Sequence, residues 1–306
     1  MTIKIAIVGF GKIAVDEHVP AIAADPRFSL AAVVTRSGDP EIGVPAFPAL
    51  HDLLSTMPDE IDAISLCTPP RVRRAIAAEA ITAGLAVLLE KPPAATLGEL
   101  EDIEAHARTS GTCLYAAWHS QHAPAVAQVA DMLRDETIVR LAIDWREDVR
   151  KWHPGQEWIW EPDGFGVFDP GINALSIASA ILPERLIVEE AEFAIPANRH
   201  APIAARLRFS GPAHNATFDW REQGGEAWTI AVDTDSGKRI TLFDGGARLV
   251  VDGAEPPLAS TREYPSIYAR FAELVDGSQV ECDQQPLRIV ADASLIARRI
   301  AVEPFL

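Results

Sequence analysis

The chain has 306 residues, 48% of them apolar and 23% charged, which suits two domains with packed cores at about 100–200 residues each. Its net charge of −17 argues against binding to a phosphate backbone, which needs clustered Lys and Arg, so no nucleic-acid partner is expected. A phosphorylated cofactor stays open, because that needs only one or two local cations.

The chain opens with IKIAIVGFGKIA, an apolar β-type run, a glycine turn and then helix-compatible residues. The spacing Gly9-x-Gly11-x-x-Ala14, with Lys12 and Ile13 inside the turn, is a dinucleotide fingerprint. Gly9 allows the tight turn, Gly11 lets backbone approach a pyrophosphate, and the small Ala14 lets the helix pack closely on the strand. A helix N-terminus then presents N–H groups and a dipole to the anion. A second strand is predicted over Leu30–Thr35. An NAD enzyme commonly carries Asp or Glu at its end for the ribose hydroxyls. Here the end reads Thr35, Arg36, Ser37, with no acid until Asp39. Arg36 can donate charge-assisted hydrogen bonds to a 2′-phosphate and Ser37 adds a donor, so NADP is expected over NAD, with NAD use left open. An arginine in such a loop can also be an ordinary solvated side chain.

The alternation continues with a strand over Ala63–Cys67 closed by Thr68, Pro69 and Pro70, then a helix from about Arg74 to Ala83. A strand over Leu85–Leu89 ends in Glu90-Lys91-Pro92-Pro93. A helix over about Leu97–Arg108 precedes the strand Cys113–Ala117, which ends in Trp118-His119. Alternating strands and helices predict a parallel, doubly wound sheet that binds ligands at the carboxyl ends of its strands. Gly9–Ala14, Arg36, Thr68, Lys91 and His119 all fall on that edge. Beyond Ile187, alternating runs at Val188–Ala194, Ala204–Phe209, Asn215–Trp220, Trp228–Asp233, Ile240–Phe243 and Arg248–Val251 predict an antiparallel meander. Helices are predicted near Pro265–Leu274 and over about 286–300.

The expected organisation is a Rossmann NAD(P)-binding domain over 1–121 and a substrate-binding α+β domain with an open, mostly antiparallel sheet over 122–285. The helix at about 286–300 is expected to pack back on the first domain. Cys67, Cys113 and Cys282 lie far apart without metal-ligand spacing, so neither a disulfide scaffold nor a metal site is expected, and a cytoplasmic setting fits. No targeting segment is apparent, and no apolar run approaches the roughly 18 residues of a membrane span.

GFGKIA, CTPP at 67–70 and, above all, LLEKPPAAT at 88–96 resemble the glucose–fructose oxidoreductase/inositol dehydrogenase (Gfo/Idh/MocA) family. The resemblance implies a cofactor edge built from Gly9, Gly11, Lys12, Ile13, Thr35, Arg36, Ser37, Cys67, Thr68, Pro69, Glu90, Lys91 and His119. It places Lys91 beside the nicotinamide and the reacting carbon. WHSQ at 118–121, WREDVRKWHPGQEWIWEP at 145–162 and GVFDPGINALSI at 166–177 resemble one branch of the family, the bacterial aldose 1-dehydrogenases typified by L-arabinose and D-galactose 1-dehydrogenases. The branch implies oxidation of an aldopyranose at C1 to the aldonolactone, with a small aldose as the partner and a homodimer through the C-terminal sheet as in many relatives. Two positions depart from the common family pattern: Asn173 stands in the place of the usual histidine base, and Arg73 stands where many members have a histidine.

Asp169 and Asn173, four residues apart, share a face of a helix starting near Pro170, where Asp169 could also serve only as its N-cap. An amide cannot act as a base, so Asn173 is expected to position a hydroxyl, Asp169 to take the anomeric proton and Lys91 to donate to the developing alkoxide; the assignment of base between Asp169 and Lys91 stays open. A pyranose wants a flat ring below and polar groups around it. Trp152 with His153, Trp118 with His119, and Trp228 are candidate rings, Trp152 first, and Glu147 joins them as a substrate contact. Trp158 and Trp160 are expected to form a packed pair outside the pocket. His119 is a candidate for a substrate hydroxyl or the ribose. L-Arabinose, D-galactose and D-fucose are the candidate sugars; the alternatives are a cyclitol dehydrogenase of the same family and a non-catalytic sugar- or dinucleotide-sensing regulator.

Overall fold

The computed structural model describes residues 2–38, 40–162 and 164–306, so Asp39 lies outside the described residues. The chain divides into two compact units: the first runs to His119 and takes in Arg262–Gln284, and the second comprises Ser120–Thr261 and Gln285–Leu306.

β1 (Ile3–Val8) buries Ile5, Ala6, Ile7 and Val8 in succession, so both of its faces are covered, as a central parallel strand requires. It ends at Gly9. The helical segment behind the turn makes a π turn over Ala14–His18 and continues as α1 (Val19–Ala24). Its buried stripe is Ala14, His18, Ala21 and Ile22, the helical spacing of an inward face. β2 (Phe28–Val34), β3 (Ala46–Phe47), α2 (Leu50–Thr56) and β4 (Ala63–Leu66) follow. α3 (Pro70–Thr82) starts four residues before the expected Arg74, because Pro70 occupies the first helical position, where its fixed φ suits the helix and its missing N–H costs nothing. β5 (Ala86–Leu89) leads to α4 (Leu97–Ser110). There Thr96 caps the first turn by accepting from the Glu99 N–H at 3.2 Å, and Gly111 closes the last turn with a left-handed φ of 65°. β6 (Leu114–Ala116) completes this run.

The second unit begins with α5 (Val126–Leu133) and β7 (Ile138–Arg146), neither of them anticipated from the sequence. A short α6 (Val149–Trp152) and a 3-10 turn over Glu157–Trp160 precede α7 (Phe168–Ile181). β8 (Val188–Pro196), β9 (Ala204–Phe209), β10 (His214–Asp219), β11 (Ala227–Thr234), β12 (Arg239–Phe243) and β13 (Arg248–Val251) match the expected runs to within one or two residues at each end. α8 (Glu263–Asp276) and β14 (Val280–Glu281) return to the first unit. α9 (Gln285–Ile296) and β15 (Arg298–Val302) belong to the second.

Among the described residues, the first unit holds a seven-stranded sheet in the order β14-β6-β5-β4-β1-β2-β3, every pair parallel. The direction of strand succession reverses between β1 and β4, the switch point at which such sheets bind ligands. The second unit holds an eight-stranded sheet in the order β13-β12-β11-β7-β10-β9-β8-β15. It is antiparallel except where β10 pairs β7 and β15 pairs β8. The expected meander is thus interrupted: β7 lies between β11 and β10, with Leu141, Ile143 and Trp145 on its buried face. The fold is therefore a parallel Rossmann sheet followed by a mostly antiparallel sheet with helices.

Two corrections concern the C-terminus. The helix expected over 286–300 ends at Ile296, since Arg298–Val302 pairs with β8 as a strand. That helix packs on α7 and β8 within the second unit. It is α8 that lies on α1 in the first unit, through Tyr264, Ile267, Tyr268 and Phe271. Among the described residues no helix is long and apolar enough to cross a membrane.

Gly9 carries φ +92°, and a Cβ there would stand 2.7 Å from the Thr68 backbone nitrogen, whereas a Cβ at Gly11 meets nothing within 4 Å. Gly9→Ala should therefore lose about 2–4 kcal/mol from strain and overlap, and Gly11→Ala less than about 1 kcal/mol. Urea unfolding checks this, and equal stabilities for the two variants would contradict the turn geometry.

Candidate active site

Within the first unit, the ends of β1, β2, β4, β5 and β6 bring Gly9–Ala14, Thr35–Ser37, Cys67–Pro69, Glu90–Lys91 and His119 to one edge of the parallel sheet. Ala14 is fully buried against the sheet, while Gly11, Lys12 and Ile13 are exposed. Lys12 pairs with Asp16, one turn on. Arg36 and Ser37 are exposed, and the Ser37 N–H donates to Thr35 Oγ1 at 3.2 Å. Arg36 has no hydrogen-bond or ion-pair partner among the described residues. Thr68 Oγ1 is buried and lacks a partner among the described residues. An open glycine turn before a helix, a partnerless threonine hydroxyl opposite it and an unengaged cation at the end of β2 fit a dinucleotide phosphate chain.

Lys91 stands on a buried polar cluster. Glu90 is 4% exposed. Its Oε1 accepts from the Tyr264 hydroxyl at 2.7 Å and lies 3.1 Å from His18 Nε2, and its Oε2 accepts the Lys91 N–H at 2.8 Å. His18, 1% exposed, places Nδ1 2.8 Å from the Tyr268 hydroxyl and 3.1 Å from Ser65 Oγ. Arg73, also buried, donates from Nε to the Thr68 carbonyl at 2.7 Å and from Nη1 to the carbonyls of Glu90 and Pro92. The Lys91–Pro92 peptide is cis. Arg73 thus ties two turns of the cofactor edge together by their main chains. His119 pairs through Nδ1 with Glu263 at 2.7 Å and stacks on the Tyr264 ring, with centroids 5.9 Å apart.

Burial alone would push the Glu90 carboxyl up, but the hydrogen bond and charge of His18, the charge of His119 and the Tyr264 hydroxyl hold it at about 2. Burial opposes protonation of His18 as well, yet Cys67, Tyr268 and Glu90 outweigh it and raise the imidazole well above its ordinary value. Both shifts favour the ionised form of each group, the imidazole upward and the carboxyl downward.

In the second unit, Asp169 is the second residue of α7, and Val167 occupies the cap position, so the carboxylate lies on the helix instead of capping it. Asp169 is 6% exposed and its Oδ2 lies 3.4 Å from His153 Nε2. His153 Nδ1 is 3.3 Å from Gln156 Oε1, and its ring tilts against Trp220. Asn173 follows one turn along the helix, half-buried. Gly171 between them lets α7 approach the sheet closely: a Cβ there would stand 2.8 Å from a Phe218 ring carbon. Buried Glu147 accepts from the indole N–H groups of Trp220 and Trp228, each at 3.1 Å. Trp228 is half-buried and packs on Trp145 and Trp152, at centroid distances of 5.9 and 5.6 Å. Trp152 is exposed, donates its N–H to Glu226 at 2.8 Å and carries Lys151 over its ring.

Two aromatic expectations fail. Trp118 is only 2% exposed and donates its N–H to the Asp283 carbonyl, so its ring is core. Trp158 and Trp160 do not share a face: the 3-10 turn sends Trp160 inward against Trp220 and leaves Trp158 exposed. The reading also passed over His18, Tyr264, Tyr268 and the clamp formed by Arg73. A signal for them exists, since His18 sits on the apolar stripe of its helix and the two tyrosines lie one turn apart on the inward face of α8. Among the described residues, no group of three or more His, Cys, Asp or Glu is arranged to hold a metal.

Because the folded Glu90 pKa lies below the ordinary 4.5, its contribution to stability is complete above about pH 4.5 and is lost as pH falls toward 2. His18, shifted upward, contributes fully below its ordinary value of 6.5 and progressively less as pH rises through its folded pKa. Glu90→Gln should cost about 3–5 kcal/mol at pH 7 by stranding the buried imidazole and should flatten the fall in stability between pH 4.5 and 2. Urea unfolding across pH reads both effects, and a wild-type slope retained in the variant would contradict the ionised pair.

Residues 3–118 match the family model described as "Oxidoreductase family, NAD-binding Rossmann fold", Gfo/Idh/MocA. The chain is 44% identical over 306 residues to the galactose 1-dehydrogenase of Pseudomonas fluorescens, covering 99% of this chain and 98% of that protein. It superposes on the crystal structure of a D-galactose-1-dehydrogenase from Rhizobium etli with a TM-score of 0.94 and 45% identity, over 100% and 98% of the two chains. A 3-ketoreductase from Actinomadura kijaniata, crystallised with NADP and TDP-benzene, shares the fold at a TM-score of 0.83 and 20% identity, over 99% and 100%. With its glycine turn, its Glu90-Lys91-Pro92 turn and likeness along its whole length, the chain belongs to the Gfo/Idh/MocA family of nicotinamide-dependent oxidoreductases.

Proposed function

We propose that this protein is an NAD(P)-dependent aldose 1-dehydrogenase that oxidises a galacto-configured pyranose at C1 to the aldonolactone. The observation that carries the reading is identity of 44% and 45% to two galactose 1-dehydrogenases over nearly the whole chain. D-Galactose is the first substrate. L-Arabinose has the same configuration from C2 to C4 and lacks only the C5 hydroxymethyl, and D-fucose keeps a methyl there. A difference of one such group discriminates by only about 10–200-fold, so both are substrates and C4 epimers are poor ones.

In this reading the Asp169 carboxylate takes the proton of the anomeric hydroxyl. His153 Nε2, 3.4 Å from Asp169 Oδ2, favours the ionised carboxylate that the step needs. Asn173 orients a hydroxyl through its amide, and Lys91 donates to the alkoxide that develops as the C1–H bond breaks. The bound nicotinamide supplies the hydride acceptor. Glu147 and Trp228 serve the sugar rim and face; their mutual hydrogen bond fixes the ring before substrate arrives. At the adenosine end, exposed Arg36 and Ser37 favour a 2′-phosphate, so NADP is the better cofactor.

The test follows reduced-cofactor absorbance with a panel of aldoses and both nicotinamides. Turnover of D-galactose and L-arabinose well above that of D-glucose is expected. Asp169→Asn and Lys91→Ala should each lower kcat by about 10²–10⁴-fold, and Arg36→Ala should lower kcat/KM with NADP while leaving NAD nearly unchanged. Retained cofactor binding without turnover of any aldose would sink the reading and favour a cyclitol dehydrogenase or a sensor.

A further inference from the structure

The reaction as proposed uses Lys91 but leaves unexplained why a charged pair lies buried behind it. Burying Glu90 and His18, 4% and 1% exposed, forfeits their hydration, and apolar residues of similar volume would commonly serve stability as well. The cluster also has a direction. Glu90 Oε1 is occupied by the Tyr264 hydroxyl at 2.7 Å and His18 at 3.1 Å, which leaves Oε2 to take the Lys91 N–H at 2.8 Å. Arg73 meanwhile holds the carbonyls on either side, those of Glu90 and Pro92. The Lys91 main chain is thereby fixed through its own donor and through both flanking acceptors, all by buried side chains. His18 is held in turn by Tyr268 and Ser65, at 2.8 and 3.1 Å. Tyr264 and Tyr268 come from α8, which rejoins the first unit late in the chain.

We propose that Tyr264 and His18 are positioning residues: they fix the Glu90 carboxylate, and through it the Lys91 turn, in the geometry that lets the lysine meet the developing alkoxide. This rests on the reading of Lys91 as the alkoxide donor. Neither residue touches substrate; each acts by removing alternative arrangements of the turn. A displacement of about 1 Å in such a group can cost about 10²-fold in rate, so a single lost hydroxyl far from the sugar has a kinetic signature.

The experiment is a double-mutant cycle of Tyr264→Phe with Lys91→Ala, run with D-galactose and NADP. Tyr264→Phe removes one oxygen and keeps the ring, so its packing against His18 and His119 survives. Alone it should lower kcat about 10-fold or more, with KM for NADP within about twofold of wild type. Added to Lys91→Ala it should change kcat by less than about twofold, because there is no lysine left to position. Equal losses in both backgrounds, or no loss in either, would overturn the proposal. A second measurement needs no turnover: hydrogen exchange of the Lys91 amide should accelerate about 10-fold or more in Tyr264→Phe and in His18→Gln, with β1 and β2 amides unchanged. Unchanged exchange at Lys91 overturns the proposal as well. Should the wild-type protein reduce no cofactor with any aldose, that failure falls on the functional reading, and the exchange rates decide the positioning role alone.

Discussion

An ionised carboxylate in an apolar interior demands charges and donors around it, and in the first unit that demand organises the chemistry-bearing edge. Glu90 directly follows β5, the strand beside the switch-point pair, so its partners must come from elsewhere in the chain. The π turn behind the glycine loop supplies His18, and α8 supplies Tyr264. The segment Arg262–Gln284 is therefore more than a closing helix: without it, one of the donors that keep Glu90 ionised is missing. The same carboxylate accepts the Lys91 N–H, so the stability of the interior and the placement of Lys91 rest on one group.

The second unit meets a similar demand in a different way. α7 is buried on nearly all sides, which makes Asp169 and Asn173 on it conspicuous by cost. A helix so enclosed is a rigid mount, and Gly171 lets it come close to the ring of Phe218. The tryptophans divide by environment. Trp118 and Trp160 are filled into the cores, Trp220 bridges core and polar cluster through Glu147, and Trp228 and Trp152 keep part of their rings exposed. A half-buried indole locked by a buried carboxylate can present a flat face at little entropic cost.

Features with local causes were legible in the sequence. Gly9 is demanded by its positive φ and by the approach of the Thr68 backbone, so the glycine spacing carries real geometric information. The parallel strands are short apolar runs between turns, and their carboxyl ends follow from chain order alone. Features caused by distant partners were not legible. His18 reads as one histidine on an apolar stripe, and only the fold brings Glu90, 72 residues away, to it. β7 alternates as a strand should, yet it was passed over but for Trp145 and Arg146 at its end, and its place between β10 and β11 is set by partners found later in the chain. The C-terminal run splits into helix and strand because β8 offers an edge to Arg298–Val302, which helical periodicity cannot reveal. Trp118, adjacent to a candidate contact, gave no local sign that the Asp283 carbonyl would draw it inward.

The most direct measurement of the central claim is the fate of the hydrogen on C1. D-Galactose carrying deuterium only at C1 would be incubated with the purified protein and oxidised nicotinamide, and the reduced cofactor analysed by mass spectrometry. Oxidation at the anomeric carbon by hydride transfer places one deuterium in each reduced cofactor. Reduced cofactor without deuterium would mean that another carbon is oxidised, and would contradict the account.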